Sequence, residues 1–263
     1  MKILLLPDHP HFKWKITKLK VIFETAGIEV TNNINDSFDL AIYWSYHKIY
    51  KKHDEYIGLL HEKNKILNFG CNDISKSFVE KIMKKAFGYN AIVNPKHFKP
   101  YGEKSEAQGS HSIIEKDSFE GYKPNHIYVK LLDGRINDKT TRDYRIYVCG
   151  DKIPLVVTKD KPLEYKYAGA NHATLVAYKN PLDVFSEEEV FKIIRFCKLY
   201  PIDFTELDAM RDSDGKLYIV DNNNVSAFSE KEQELFYNNN IISYLSNEFL
   251  NFLNNAYSRS SSF

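Results

Sequence analysis

The sequence predicts a mixed α/β fold, and three observations predict it. Strand-like runs and a helical stripe alternate from Lys2 to Phe69, which implies a small parallel sheet. An amphipathic stripe from Ile74 to Phe87 and a capping box at Ser186-Glu-Glu-Glu189 mark further helices. Two alternating runs then flank Asp214-Gly215, the dipeptide best suited to a type I′ hairpin turn.

Composition bounds the rest. At 263 residues and 43% hydrophobic content, the chain can bury a core as one large domain or as two or three lobes. A formal charge of +1 offers no basic field for nucleic acid and no acidic tail. Cys71, Cys149 and Cys197 are odd in number and far apart, which argues against a disulfide framework or zinc cluster and for a reducing compartment. No apolar run reaches membrane-spanning length, and Leu4-Leu-Leu6 is too short for a signal segment. A cytoplasmic protein is expected, without nucleic-acid or membrane partners and with room for a homodimer.

Taken in order, Lys2–Leu6 reads as a buried strand ended by Pro7. A helix is expected from Phe12 to Ala26, stopped by Gly27, then strands at Ile28–Val30 and Asp39–Trp44. Lys51–Lys63 reads as helix and Ile66–Phe69 as strand. Asp8-His9-Pro10-His11 fits a hydrogen-bonded or solvated His pair better than a ligand pair. Asn72-Asp73 is expected to cap the next helix, whose stripe is Ile74, Phe78, Val79, Ile82, Met83, Ala86 and Phe87, with Gly88 at its C-terminal end. A Pro- and Lys-rich link follows, then a polar stretch from Gly102 to His111. Ile127–Leu132 is a short apolar strand ending in Asp133-Gly134, and Asp143–Ile153 reads as a hairpin turning at Gly150-Asp151. The capping-box helix carries Val190, Ile193, Ile194 and Cys197 on one stripe, which places Cys197 in the core. Glu230–Asn255 reads as one or two helices, and the last residues, 256–263, are expected to fray.

The chemistry concentrates in the hairpin Phe204–Asn224. With Asp214-Gly215 as a two-residue turn, Ser213 faces Lys216, Asp208 faces Asp221 and Glu206 faces Asn223, all four polar groups on one face. Opposed Cβ atoms lie about 4.5–5.5 Å apart, where like charges destabilise a sheet unless something compensates. A bound Mg²⁺ or Mn²⁺ does so, because hard divalent ions take carboxylate and amide oxygens. An exposed hairpin with Asp and Asn as turn chemistry would carry the same residues. Against that stands an apolar continuation of the acidic face, expected from Met210, Leu217 and Ile219, which looks like a cleft.

An acid, thirteen residues on a second acid, then Asn two further, across a D-x-x-G hairpin, resembles the metal-binding end of the ATP-grasp superfamily, to which D-alanine–D-alanine ligase belongs. The resemblance implies a small Rossmann-like N-terminal lobe (1–67), a nucleotide-binding lobe (68–126) and a C-terminal lobe with the metal site (127–255). By the same resemblance Asp208, Asp221 and Asn223 would hold Mg²⁺ or Mn²⁺ bridging ATP phosphates. Lys76 echoes the family's Asp-Lys helix opening, and Lys104 its phosphate-binding lysine, followed by the loop Gln108-Gly-Ser-His111. Adenine would meet the backbone of Lys130, Leu131 and Leu132 beside Asp133. Asp143-Tyr-Arg145 looks like the family's D-x-R strand, with Arg145 and Lys159 as anion contacts. Asn171 and His172 would sit on a loop beside the phosphate or acceptor site. The chain departs from the family pattern in having Asp, not Glu, at 221, and Val225-Ser-Ala-Phe228 where small residues and Pro-Gly usually follow.

The resemblance implies an ATP- and Mg²⁺-dependent enzyme that activates a carboxylate as an acyl phosphate and joins it to an amine, on a small metabolite or a sugar or peptide precursor. Glu206 stands where D-alanine–D-alanine ligase has a basic residue. It could accept a hydroxyl proton in a small-molecule kinase or hold an ammonium group in a ligase. A non-catalytic nucleotide-binding protein is the third reading. The sequence carries no G-x-x-x-x-G-K-[ST], G-x-G-x-x-G, H-E-x-x-H or G-x-S-x-G motif.

Overall fold

The described residues build three sheets, each from one stretch of sequence. The computed structural model describes residues 1–6, 13–43, 66–68, 75–106, 113–167, 172–223, 232, 234–236 and 240–260. The His9/His11 pair, the helix expected at Lys51–Lys63, Cys71, the Asn72-Asp73 cap, the Gln108–His111 loop, Asn171 and Val225–Phe228 lie outside these residues.

The first sheet is parallel, ordered β2-β1-β3-β4, from β1 (Lys2–Leu6), β2 (Glu29–Thr31), β3 (Leu40–Tyr43) and β4 (Ile66–Leu67). Helix α1 (Lys13–Thr25) crosses between β1 and β2 and ends in Ala26 and Gly27, the latter at φ +71°, a conformation glycine adopts without a Cβ clash. Helix α2 (Lys76–Phe87) follows, capped by Ser75, whose side chain accepts from the Phe78 N–H, and closed by left-handed Gly88. It leads into a three-stranded antiparallel sheet ordered β6-β5-β7, from β5 (Tyr101–Ser105), β6 (Ile114–Lys116) and β7 (His126–Lys130). The strand expected to end in the adenine contacts therefore belongs to this second sheet.

The third sheet is antiparallel and six-stranded. Its path is β11 (Leu175–Lys179), β10 (Lys152–Pro162), β9 (Thr140–Cys149), β12 (Phe204–Arg211) and β13 (Leu217–Asn223), with β8 (Arg135–Asn137) on β9. Helix α3 (Glu187–Leu199) starts with the expected capping box, Ser186 and Glu189 each accepting from the other's backbone. One face of the sheet packs on α2 and α3 through Leu207, Ala209, Leu217 and Ile219 against Val79, Ile82, Met83 and Ile193. Burying each such side chain contributes about 1.5–3 kcal/mol. The other face packs its far end, Tyr147, Leu155, Val157 and Phe204, on α1 and α4 (Ile241–Ser260). Helix α4 continues through Ser260, past the point where the tail is expected to fray, with Phe249 edge-on to both Phe23 and Phe204. Among the described residues no helix is long and apolar enough to cross a membrane.

Candidate active site

The hairpin places the two acids opposite each other, by a route the sequence hides. Arg211 pairs with Leu217, Met210 with Tyr218 and Ala209 with Ile219, one residue out of the register a two-residue turn would give. The turn is longer than expected: Asp212 and Lys216 close it by backbone hydrogen bond, and Gly215 takes φ +79°. A β-bulge at Val220 then shifts the ladder back, so that Asp208 faces Asp221 and Glu206 faces Asn223 as expected. Below the bulge the faces change. Tyr218, not Leu217 or Ile219, joins Met210 on the acidic side, while Leu217 and Ile219 turn to the α2 and α3 core.

Strands β9 and β10 bring basic groups to the same face. Arg145 lies in register with Asp208, and Lys159 with Asp143. Arg145 Nε donates to Asp208 Oδ1 at 3.0 Å and its Nη1 to Glu232 Oε1 at 3.2 Å. Lys159 Nζ lies 3.1 Å from the same Glu232 oxygen. Burial alone would raise the Asp208 carboxyl, but Arg145 and Lys159 outweigh it and hold it below the usual carboxylate range. Asp143 takes Lys161, 2.5 Å away, as its ion-pair partner.

Asn223 donates Nδ2 to Asp208 Oδ2 at 2.7 Å, which turns its amide oxygen away from that carboxylate. Across the hairpin, Asp221 Oδ1 lies 3.3 Å from Lys76 Nζ and accepts from the Asn222 N–H at 3.0 Å. Lys104, on β5, is near enough to feel both groups: burial and the Lys76 charge lower its ammonium pKa, against Asp221 and Glu80. Two lysines from the second lobe and its leading helix thus gather around one carboxylate of the hairpin.

The segment after β7 joins the second sheet to the third. The Lys130 N–H donates to Ala91 O, the Leu132 carbonyl accepts from the Tyr167 hydroxyl, and the Asp133 N–H donates to Asp212. Lys130 Nζ sits 2.5 Å from Asp212 Oδ2, 3.2 Å from the Tyr218 hydroxyl and over the Tyr218 ring. A Cβ on Gly134 would fall 2.6 Å from Met210 Cε, so the segment ends against the floor of the acidic face. His172 is exposed and stacks on Tyr165, with centroids 4.3 Å apart. Glu206 takes neither of its expected positions: it is buried, with Lys18 Nζ of α1 2.6 Å from its Oε1 and 2.8 Å from the Tyr147 hydroxyl.

No protein-family model matches the chain, and no curated protein matches it in sequence. Its fold does match solved structures over nearly their whole length. A RiPP-associated ATP-grasp ligase of Chryseobacterium gregarium, in complex with ADP and a leader and core peptide, covers 95% of this chain and 96% of its own at a TM-score of 0.60 and 14% identity. The ATP-grasp ligase PsnB, complexed with precursor peptide PsnA2 and AMPPNP, covers 96% of each chain at 0.61 and 13%. The macrocyclase MdnC of Microcystis aeruginosa MRC, bound with precursor peptide MdnA, covers 95% and 100% at 0.57 and 10%. The chain has the ATP-grasp fold.

On an ATP-grasp fold, the oxygens of Asp208, Asp221 and Asn223 form a hard-donor set that fits Mg²⁺ in chemistry. Among the described residues no group of three or more His, Cys, Asp or Glu could hold a metal, so the candidate set is two carboxylates and an amide. Lys18 and Glu232 escape a reading of motifs, yet each leaves a trace. Lys18 lies on the apolar stripe of Leu19, Ile22 and Phe23, and Glu232 lies four residues before buried Phe236.

Proposed function

We propose that the chain is an ATP- and Mg²⁺-dependent ligase that activates a carboxylate of a peptide and joins it to an amine. The observation that carries this is the opposition of Asp208 and Asp221, with Arg145 and Lys159 on one side and Lys76 and Lys104 on the other. Asp208, Asp221 and Asn223 hold the metal, which when bound neutralises the charge of the transferring phosphoryl group. Lys76 and Lys104 receive the ATP phosphates. Since the Lys130 N–H and the Leu132 carbonyl already have protein partners, adenine contacts fall to Leu131 and the Leu132 N–H, above Met210 and Tyr218.

The γ-phosphoryl group passes to a substrate carboxylate oxygen as ADP departs, giving an acyl phosphate. The nucleophile then attacks the acyl carbon and inorganic phosphate leaves. Arg145 and Lys159 stabilise the negative charge that grows on the acyl phosphate oxygens, as fixed cations in a dry site do. Glu206, the carboxylate a kinase would use as base, is engaged by Lys18, which supports a ligase. Peptide is the substrate class because three solved neighbours, matched over at least 95% of this chain, were captured with peptides. Of the substrates expected from sequence, a small metabolite or a sugar or peptide precursor, these neighbours favour the peptide.

The test offers the protein γ-labelled ATP with pooled peptides, native or with every carboxylate amidated. Labelled free phosphate, released only with the native pool and lost in Asp221→Asn, is expected. Label retained on a peptide after an ADP chase would overturn the ligase reading. Turnover with free amino acids but not peptides would overturn the substrate class.

A further inference from the structure

Lys76 is oddly placed for a lysine. It is the first residue of α2, where the helix dipole disfavours a cation, and no acidic residue shares that turn. It is also largely buried, with an exposure of 9%. What holds it is Asp221 Oδ1, 3.3 Å away on another sheet. Lys104, a second and partly buried ammonium, is near enough to feel both charges. Asp208, by contrast, has its counter-charge from Arg145 on the neighbouring strand, 3.0 Å away, and that pair belongs to the sheet itself.

We propose that Lys76 is a placeholder cation on Asp221, which makes divalent metal and nucleotide bind together rather than singly. The proposal rests on reading Asp208, Asp221 and Asn223 as the metal site. A metal ion arriving alone must displace Lys76 and leave two ammonium groups facing a dication across the single Asp221 carboxylate. A polyphosphate arriving alone meets two carboxylates with no dication to offset them. Arriving together, the pair is charge-matched: the metal takes Asp221, and Lys76 moves onto phosphate. The coupling is reciprocal, so metal raises nucleotide affinity by the factor by which nucleotide raises metal affinity.

The test titrates Mn²⁺ by electron paramagnetic resonance into the full chain, with and without ADP, correcting for Mn·ADP formed in solution. Wild type, Lys76→Gln, Lys76→Arg and Asp221→Asn are compared, each first shown to melt as one folded species. Wild type should bind Mn²⁺ weakly alone and at least about tenfold more tightly with ADP. Lys76→Gln should bind Mn²⁺ alone about tenfold more tightly than wild type, and its coupling factor should fall toward one. Lys76→Arg keeps the charge and should keep the coupling. If Lys76→Gln binds Mn²⁺ alone no better than wild type while Asp221→Asn abolishes binding, the metal site stands and the placeholder is overturned. If wild type binds no Mn²⁺ with ADP present, the metal-site reading itself has failed and the proposal falls with it.

Discussion

Asp208 keeps its charge against its own burial. Burial opposes ionisation, and the carboxylate survives because Arg145 donates to one oxygen at 3.0 Å and Asn223 to the other at 2.7 Å, with Lys159 close by. Asp208→Asn keeps the shape and removes the charge, so it should cost about 2 kcal/mol, as losing a charged hydrogen-bond partner does. The sign of the pH dependence follows. A carboxyl held below its ordinary value of 3.8 contributes stability that is complete above that pH and is lost as pH falls through the lower folded-state value. Urea melts of wild type and variant should therefore differ at pH 7 and converge below 3.8. A gap that persists unchanged at low pH would show that Asp208 contributes by packing and not by charge. Part of this site is legible as residue types: two acids and an amide stand out by their spacing, and the D-x-R strand by its resemblance to a family pattern. Lys18 and Glu232 are not, because Lys18 is an ordinary member of a helix and Glu232 an ordinary acid until the fold turns them inward.

At the scale of elements, the hairpin shows how a right pairing can come from a wrong turn. Alternation and Asp214-Gly215 point to a tight turn. The chain instead spends one more residue in the turn and recovers it with a bulge at Val220. No local pattern in Leu217–Asn223 marks that bulge, since Val220 fits a regular strand as well as any residue. What secures β12 at its other end is Asn68, which sits at φ +62° just after β4, fully buried. Its amide oxygen accepts from the Asp203 and Phe204 N–H groups at 2.8 Å, and its Nδ2 donates to Phe204 O at 2.7 Å. A side-chain amide thus stands in for a neighbouring strand at the root of the strand carrying Asp208. Asn68→Ala strands three backbone groups, two of them buried, and should cost about 4 kcal/mol. Equal melting of the alanine variant and wild type would remove Asn68 from the account of how β12 is held.

For the whole molecule, the presence of a parallel and an antiparallel sheet can be read from sequence, but how they pack together cannot. Strand–helix alternation signals the parallel sheet, and alternating hairpins signal the antiparallel one. Nothing in either pattern shows that α4 returns to pack on α1, or that a charge crosses between lobes. Lys18 of α1 reaches Glu206 of β12, 2.6 Å away, both nearly without solvent exposure, and also the Tyr147 hydroxyl. Burial pushes the Lys18 ammonium below its usual range against the opposing pull of Glu206. Desolvation thus outweighs the attraction at Lys18, and the pair specifies geometry more than it stabilises. Such a pair makes a prediction with a distinctive shape. Lys18→Met alone leaves the Glu206 carboxylate without its Lys18 counter-charge and should cost about 3–5 kcal/mol; Glu206→Leu alone should cost a similar amount. The double variant should recover most of the loss. Because both groups are shielded from solvent, the single losses should change little between low and high salt. Additive losses in the double variant, or losses that fade with salt, would mean that the two lobes are held by apolar packing of α1 and α4 alone. Recovery of stability with weakened Mg·ADP binding would locate the pair's value in aligning β12, two residues from Asp208, against the rest of the site.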